Sequence, residues 1–185
     1  MNFDELLKTR RSARDYSPKK VSFKDVAEIC DAARFSPMAG NIYTLRLVIV
    51  NDEKKKKDIA EACFEQDFVG RASHLIVVCS DLSSATRSYE ERGKIYARQQ
   101  AGAAIENMLL KTTELKLASC WIGAFNEDAV KRILKIPENI QVEAILPIAY
   151  ASKKTPEKKK PDLKMITFFE QWKQQEQKPA KKVDA

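Results

Sequence analysis

The chain has 185 residues, of which 44% are hydrophobic, and a formal net charge of +7, which suits one globular domain with its own core. No apolar run approaches the roughly 20 residues that span a bilayer, and the N-terminus carries acidic residues unlike a signal peptide. We therefore expect a cytoplasmic protein that does not bind a membrane. Residues 153–185 hold ten lysines and five acidic residues, so the body is nearly neutral, which argues against nucleic acid as a partner.

The N-terminal part of the chain predicts two helices, a loop and a strand. The apolar residues and arginines of residues 3–14 keep a helical period, so we expect a first helix that carries arginines on one face. Ser22 is a typical N-cap for a second helix. The turn residues of "SPMAGN" (36–41) predict a loop, and "LRLVIVN" (45–51) predicts the first strand.

Helical and strand patterns alternate through the middle of the chain. "DEKKKKDIAEACFEQ" (52–66) predicts a helix whose lysines form a solvated face. "HLIVVCSD" (74–81) predicts a central strand, because its apolar run is nearly continuous. The longest helical pattern covers residues 88–119 and contains "AGAA" (101–104), whose small residues let another helix approach closely.

The C-terminal part predicts two further strands and two further helices. "CWIGAF" (120–125) and "QVEAILPIAY" (141–150) have strand patterns, and Asn126 is a typical cap for the helix between them. "LKMITFFEQW" (163–172) predicts the last helix. The alternation of strands and helices predicts the α+β class, with one sheet flanked by helices.

The chain lacks several motifs that would give it chemistry of its own. Its four cysteines are scattered and His74 is its single histidine, so we expect no metal site and predict buried, reduced thiols. The phosphate-binding pattern GxxxxGK[ST] and the nucleophile pattern GxSxG are absent from the sequence. An enzyme without an acid–base pair depends on a cofactor for its chemistry, so we predict no catalytic side chain.

Four stretches nevertheless contain residues that suit a small-molecule site. Arginine forks and a serine hydroxyl between residues 10 and 14 can bind one compact phosphate. Small residues in the loop 36–41 let a flat ligand approach the backbone, and Gly123 and Ala124 leave backbone N–H groups exposed. Lysines precede the last predicted helix. Taken singly, each stretch is more typical of a solvated surface, an ordinary loop or core packing than of a ligand site.

The order of these stretches changes their interpretation. "RRSARDY", then "AARFSPMAGN", then "AGAAIENMLLKTTELKLASCWIGAF" and "AILPIAY", then "KKK", resembles the FMN-dependent nitroreductase family over nearly the whole chain. The resemblance implies an α+β sandwich with a central, mainly antiparallel sheet and a domain-entwined homodimer. It also implies tightly bound FMN at the subunit interface. The implied reaction is a ping-pong cycle that carries hydride from NAD(P)H through flavin N5 to a nitroaromatic, quinone or similar planar acceptor.

The same resemblance assigns residues to the FMN site. The phosphate and ribityl chain would be held by Arg10, Arg11, Ser12 and Arg14, with further charge from Lys158 and Lys160. The isoalloxazine ring would pack on four residues of the other subunit, namely Pro37, Met38, Ala39 and Asn41. The pyrimidine edge would receive a hydrogen bond from Gln66. The N5 region would face the backbone of Gly123 and Ala124.

Two departures from the family pattern concern the acceptor pocket. The family usually continues AGN with a Gln-Pro-Trp set, whereas residues 43–45 here are Tyr-Thr-Leu, and Met38 stands where serine is common. A flavin enzyme of the same fold that performs reductive dehalogenation or substrate oxidation is therefore an alternative. A basic nucleic-acid-binding protein is a lower one. We expect the FMN-binding domain to span residues 1–172, followed by a lysine-rich tail, 173–185, that is mobile or lies on the partner subunit.

Overall fold

The structure, a computed structural model, describes residues 1–174. The chain divides into two units, Met1–Thr155 and Pro156–Ala185, which are described separately below. Most of the predicted C-terminal tail, residues 175–185, lies outside the described residues. Within residues 1–174, no helix has both the length and the apolar character that a membrane crossing requires.

The helices of the first unit begin and end where local chemistry favours it. In chain order, the described α-helices are α1 (Phe3–Thr9), α2 (Phe23–Ala33), α3 (Glu53–Ala62), α4 (Asp67–Gly70), α5 (Ser83–Tyr89), α6 (Glu91–Glu114) and α7 (Glu127–Leu134). Both predicted caps are confirmed. The Ser22 side chain accepts the Asp25 amide at the start of α2, and the Asn126 side chain accepts the Ala129 amide at the start of α7.

The strands form two antiparallel sheets. The described strands are β1 (Tyr16–Ser17), β2 (Leu45–Val50), β3 (His74–Asp81), β4 (Ile140–Ile148) and β5 (Tyr150–Ala151). The main sheet has the order β2-β3-β4, and β1 pairs with β5. The central strand β3 is buried along almost its whole length, as its continuous apolar run predicts. The predicted α+β class with a central antiparallel sheet is confirmed.

The core has two apolar layers, because successive side chains of β3 point to opposite faces of the sheet. Leu75, Val77 and Cys79 pack in one layer with residues of α3 and α7. Ile76 and Val78 pack in the other layer with residues of α2 and α6. Burial of both faces removes apolar surface from water and fixes the register of the sheet.

One lysine of α3 departs from the predicted solvated face. Lys56 is 1% exposed, and its Nζ donates to Ala72 O at 2.6 Å and to Ser73 O at 3.3 Å. Its charge is paired with Glu53 Oε1 at 3.1 Å. Carbonyl groups before β3 therefore supply the partners that a buried ammonium needs. The run of four lysines concealed this burial in the sequence.

Three predicted elements of the first unit are wrong in extent or type. Helix α1 ends at Thr9, so the arginines up to Arg14 lie beyond it. The expected strand 120–125 contains only an isolated bridge between Ile122 and Ile145. The expected helix 88–119 is broken at Glu90, whose φ of 50° and ψ of −135° separate α5 from α6.

The described part of the second unit has little regular structure. A short 3₁₀ turn covers Leu163–Met165 and is capped by the Asp162 side chain, which accepts the Lys164 amide at 3.0 Å. The rings of Phe168 and Trp172 lie 4.6 Å apart between centroids. The predicted last helix over residues 163–172 is therefore wrong. Its residues form this turn and the irregular chain after it.

Candidate functional site

The N-terminal arginine segment, residues 10–14, is extended and lies against a distant part of the chain. Arg10 ends helix α1 with φ −52° and ψ 131°, which turns the backbone out of the helix. Ser12 then forms a parallel bridge with Ser119, and the Ala13 amide donates to Ser119 O at 2.9 Å. The expected helical face of arginines is thus wrong. A backbone pairing across the fold positions these residues instead.

The first two arginines of the segment have different partners. Arg10 Nε lies 3.3 Å from Glu106 Oε1 of α6, and the Arg10 side chain is 23% exposed. Arg11 donates through Nη1 to Lys8 O and, at 2.9 Å, to Arg10 O. The Arg11 guanidinium therefore caps carbonyl groups at the end of α1. Its predicted contact with FMN stays a prediction.

The thiol of Cys120 lies among the remaining members of the segment. Burial raises the pKa of Cys120, whereas the charges of Arg14 and Arg10 and a hydrogen bond with Ser12 lower it. Arg14 is the larger of the two charges that lower this pKa. The backbone pairing of Ser12 with Ser119, the residue before Cys120, places the arginine segment next to this thiol. The structure thereby brings together the two predicted anion ligands Ser12 and Arg14, with the charge of Arg10 close by.

Gly123 and Ala124 follow this segment and have an open backbone. Within residues 1–174, and apart from the two chain neighbours, no atom lies within 4 Å of the position that a Cβ of Gly123 would occupy. The stretch is fixed on one side by Ile122 and Ile145, whose amides donate to each other's carbonyl oxygens at 3.0 Å. Gln66 holds the other side, because its Nε2 donates to Ala124 O at 3.4 Å. The predicted contacts Gln66 and Ala124 therefore meet in the fold.

Gln66 follows a strained turn at the end of α3. Phe64 and Glu65 have φ values of 56° and 57°, in the left-handed region that residues other than glycine rarely adopt. The turn is tied down by Gln66 Nε2, which donates to Cys63 O at 2.8 Å, and by the Asn126 amide, which donates to Ala62 O at 2.7 Å. Neither Phe64 nor Glu65 carries a sequence signal for this geometry.

The loop of residues 36–41 is a separate, well-supported segment. Ser36 Oγ donates to Ala33 O at 2.8 Å, and the Asn41 amide donates to Met38 O at 3.1 Å. Gln100 of α6 holds the following residues, because its Nε2 donates to Ile42 O at 2.8 Å. None of these hydrogen bonds reaches the arginine segment. The predicted contacts Pro37, Met38, Ala39 and Asn41 thus form one surface loop on α2 and α6.

Two side chains that support this loop, Gln100 and Tyr89, were not predicted from the sequence. Gln100 is 4% exposed and also accepts the Thr44 hydroxyl through Oε1 at 2.5 Å. Tyr89 reaches Gly40 from the end of α5. In the sequence, Gln100 stands next to the small residues Ala101, Gly102 and Ala103. A polar residue on a helix face of small residues is the pattern that could have indicated a supporting role for Gln100. Lys158 and Lys160 are exposed in the second unit, and their contact with a phosphate stays a prediction.

Comparison with known proteins gives the chain its relatives. The model of the nitroreductase family matches residues 7–66 and 63–150. An Archaeoglobus fulgidus protein with the provisional name NADH dehydrogenase/NAD(P)H nitroreductase is 33% identical over 150 residues, which cover 79% of this chain and 83% of the relative. The FMN reductase (NADPH) of Bacillus subtilis is 22% identical over 153 residues, which cover 75% of this chain and 61% of that protein.

The fold has solved counterparts. The structure of the NADPH:FMN oxidoreductase from Vibrio harveyi complexed with NAD+ matches with a TM-score of 0.84 and 18% identity, covering 92% of this chain and 78% of that one. This likeness shows the fold. The family match and the Archaeoglobus fulgidus relative show that the chain belongs to the nitroreductase family.

Proposed function

We propose that the protein is an FMN-dependent oxidoreductase that takes electrons from NAD(P)H and passes them to a small planar acceptor, such as a nitroaromatic or a quinone. The observation that carries this proposal is the convergence of distant segments on residues 119–124. Ser12 pairs with Ser119 at one end of that stretch, and the charge of Arg14 lowers the pKa of Cys120 beside it. Gln66 contacts the other end at Ala124. An anion site thus adjoins an open, fixed backbone.

The residues present fit the chemistry of FMN. Guanidinium groups and a hydroxyl suit a phosphate, because they donate several charge-assisted hydrogen bonds. The space above Gly123 suits a flat ring, since no side chain fills it. The Gln66 amide offers its Oε1 as an acceptor to the edge of a pyrimidine ring, because Nε2 already donates to Cys63 O and Ala124 O. The names of the relatives, which include an FMN reductase, support the same cofactor.

The chain's own residues bind, orient and tune the cofactor. Arg10 and Arg14 would neutralise the phosphate, and the carboxylate of Glu106 keeps the Arg10 guanidinium in place through its 3.3 Å contact. The backbone at Gly123 and Ala124 stays fixed between its two supports, so its N–H groups form a preorganised donor site for the ring. When bound, FMN supplies the two-electron chemistry, with donor and acceptor using the ring in turn.

The proposal includes a second copy of the chain. Phe3 and Phe35 are 63% and 69% exposed, and they border a groove of about 550 Å³ between α1, α2 and α6. Large apolar side chains around one groove are typical of a surface that another protein covers. A homodimer would bury this surface and bring loop 36–41 of one protomer to the arginine segment of its partner. FMN would then lie at the subunit interface.

An absorbance spectrum tests cofactor and donor together. We expect the purified full chain to be yellow, and its flavin absorbance to bleach when NADH or NADPH is added without oxygen. A colourless protein that FMN does not reconstitute would refute the proposal. If flavin is bound but neither nucleotide reduces it at a useful rate, the reaction belongs to the dehalogenating or substrate-oxidising alternative. The cytoplasmic location stays a prediction that cell fractionation can test.

Deletion of the lysine-rich tail distinguishes nucleic-acid binding from FMN binding. An electrostatic complex would weaken steeply with rising salt. Deletion of residues 173–185 removes four of the ten lysines of residues 153–185 and leaves the described site of the first unit intact. If the chain binds nucleic acid and this deletion abolishes the binding, the tail is the binding segment. FMN binding should persist in the same variant.

A further inference from the structure

Tyr89, the last residue of α5, contacts the loop that is proposed to pack on the flavin. A Cβ on Gly40 would lie 2.2 Å from the Tyr89 hydroxyl oxygen and 3.3 Å from its Cζ. The tip of the phenol therefore fills the space beside the glycine. Gly40 also has a φ of +56°, a left-handed conformation that costs other residues energy. Glycine at residue 40 thus allows both the left-handed turn and the close approach of the Tyr89 phenol.

This contact lies between two supports that already hold the ends of the loop. Ser36 is fastened to α2 by its hydroxyl, and Ile42 is fastened to α6 by Gln100. Between them, Gly40 and Asn41 are both left-handed, with φ values of 56° and 55°. Glycine adopts this region freely, so the conformation costs energy at Asn41. Tyr89 packs against this part of the loop at Gly40.

The corner between α5 and α6 presents Tyr89 in a defined way. A Cβ on Gly93 would lie 2.3 Å from Ala85 O, so the backbones of α5 and α6 pack directly on each other. Glu90 makes the corner, with φ 50° and ψ −135°. The Tyr89 ring then meets Tyr96 edge-on, with centroids 5.2 Å apart and an interplanar angle of 86°. The packing of α5 on α6, the corner at Glu90 and the Tyr96 ring therefore set the position of the phenol.

We propose that Tyr89 is a positioning residue that holds the tip of loop 36–41 in its left-handed conformation. In doing so it fixes the surface formed by Met38, Ala39 and Asn41. The consequence for flavin rests on the proposed function, since these residues are proposed contacts of the ring. The contact between Tyr89 and Gly40 itself needs no cofactor, so it is testable in the flavin-free chain.

Paired substitutions test the contact. Gly40→Ala places a methyl group against the Tyr89 hydroxyl, and Tyr89→Phe removes that oxygen and leaves Cζ, at 3.3 Å, as the nearest atom. The positive φ penalises alanine equally in both backgrounds, so the difference between them isolates the hydroxyl. We expect G40A to weaken FMN binding about tenfold or more through overpacking, and added Y89F to restore at least about threefold. Flavin fluorescence quenching during titration of the flavin-free full chain measures both.

A second readout does not depend on flavin. Hydrogen exchange at the amides of Asn41 and Ile42, which donate to Met38 O and Ala39 O at 3.1 Å, reports how well the tip is held. G40A should speed this exchange, and the double variant should slow it again. The control is Y96F, which removes a hydroxyl 3.1 Å from Arg92 Nε and should rescue nothing in the G40A background.

The outcomes separate this inference from the proposed function. If exchange and affinity are the same in G40A and in G40A with Y89F, Tyr89 does not position the loop and the inference is wrong. If Y96F rescues as well as Y89F, it is also wrong. If the wild-type chain does not bind FMN but Y89F still restores slow exchange, the proposed function fails while the positioning role stands. A cooperative thermal transition in every variant shows that the fold is kept, with G40A expected to melt at a lower temperature.

Discussion

Replacement of Arg14 by alanine tests the proposed anion site most directly. Arg14 is exposed, and its charge lowers the pKa of the Cys120 thiol. Removing an exposed side chain from an extended segment changes the free energy of unfolding by no more than about 0.5 kcal/mol. A loss of FMN affinity in this variant would therefore reflect lost contact with the cofactor and not a damaged fold.

The size of the loss follows from the kind of hydrogen bond. A hydrogen bond to a charged group contributes about 1.5–3 kcal/mol, which corresponds to a Kd for FMN that rises about tenfold to a hundredfold. Arg10 and Ser12 remain, so binding should weaken without vanishing. Arg14→Lys keeps the charge and loses the planar fork, so its Kd should lie between those of wild type and Arg14→Ala.

The assay is an FMN titration of the flavin-free full chain, followed by flavin fluorescence. Arg132→Ala is the matched control, since Arg132 is an exposed arginine of α7, a helix with no proposed contact to FMN. A flavin-independent check uses Cys120, whose pKa is lowered by Arg14 and should rise further in Arg14→Ala, as NMR of labelled cysteine can follow. An Arg14→Ala variant that binds FMN as tightly as Arg132→Ala would refute the assignment.

Three further predictions concern stability and assembly. Hydrogen bonds from Lys20 and Lys56 lower the pKa of Glu53 from 4.5 to about 2, so its stabilising effect is complete above 4.5 and is lost as pH falls toward 2. Melting temperature should drop across that window, and less so in Glu53→Gln. Gln100→Ala leaves buried polar groups of the loop unpaired and should lower the free energy of unfolding in urea by about 2–4 kcal/mol. Phe35→Glu should convert a dimer to monomers in light scattering, and an unchanged mass would contradict the proposed interface.

The sequence predicted the main sheet because its strands carry the signal in their own residues. The pattern at 74–81 matches β3, and those at 45–51 and 141–150 match β2 and β4 within two residues. Continuous apolar runs are typical of strands buried on both faces, as β3 is. The helix caps Ser22 and Asn126 also depend only on residues close by in the chain, and both are confirmed.

The wrong predictions share a physical cause. The arginines of residues 10–14 keep a helical period, but the pairing of Ser12 with Ser119 supplies backbone hydrogen bonds that replace those of a helix. A contact between residues so far apart in the chain leaves no trace in local periodicity. Lys56 is similar, because its burial depends on the carbonyl groups of Ala72 and Ser73, which its neighbouring lysines do not reach.

The candidate site is itself a set of such contacts, which is why its residue types were predictable and its geometry was not. Ser12 and Gln66 belong to segments that periodicity describes separately, yet both contact the stretch that runs from Ser119 to Ala124. That stretch is held at Ser119, Ile122 and Ala124 but is not a regular strand, so Gly123 lies outside the strand pairing of the sheet. The absence of the predicted strand at residues 120–125 is therefore what leaves Gly123 available to a ligand. The irregular backbone at residues 120–125 made the strand prediction wrong, and the proposed function depends on that same irregular backbone.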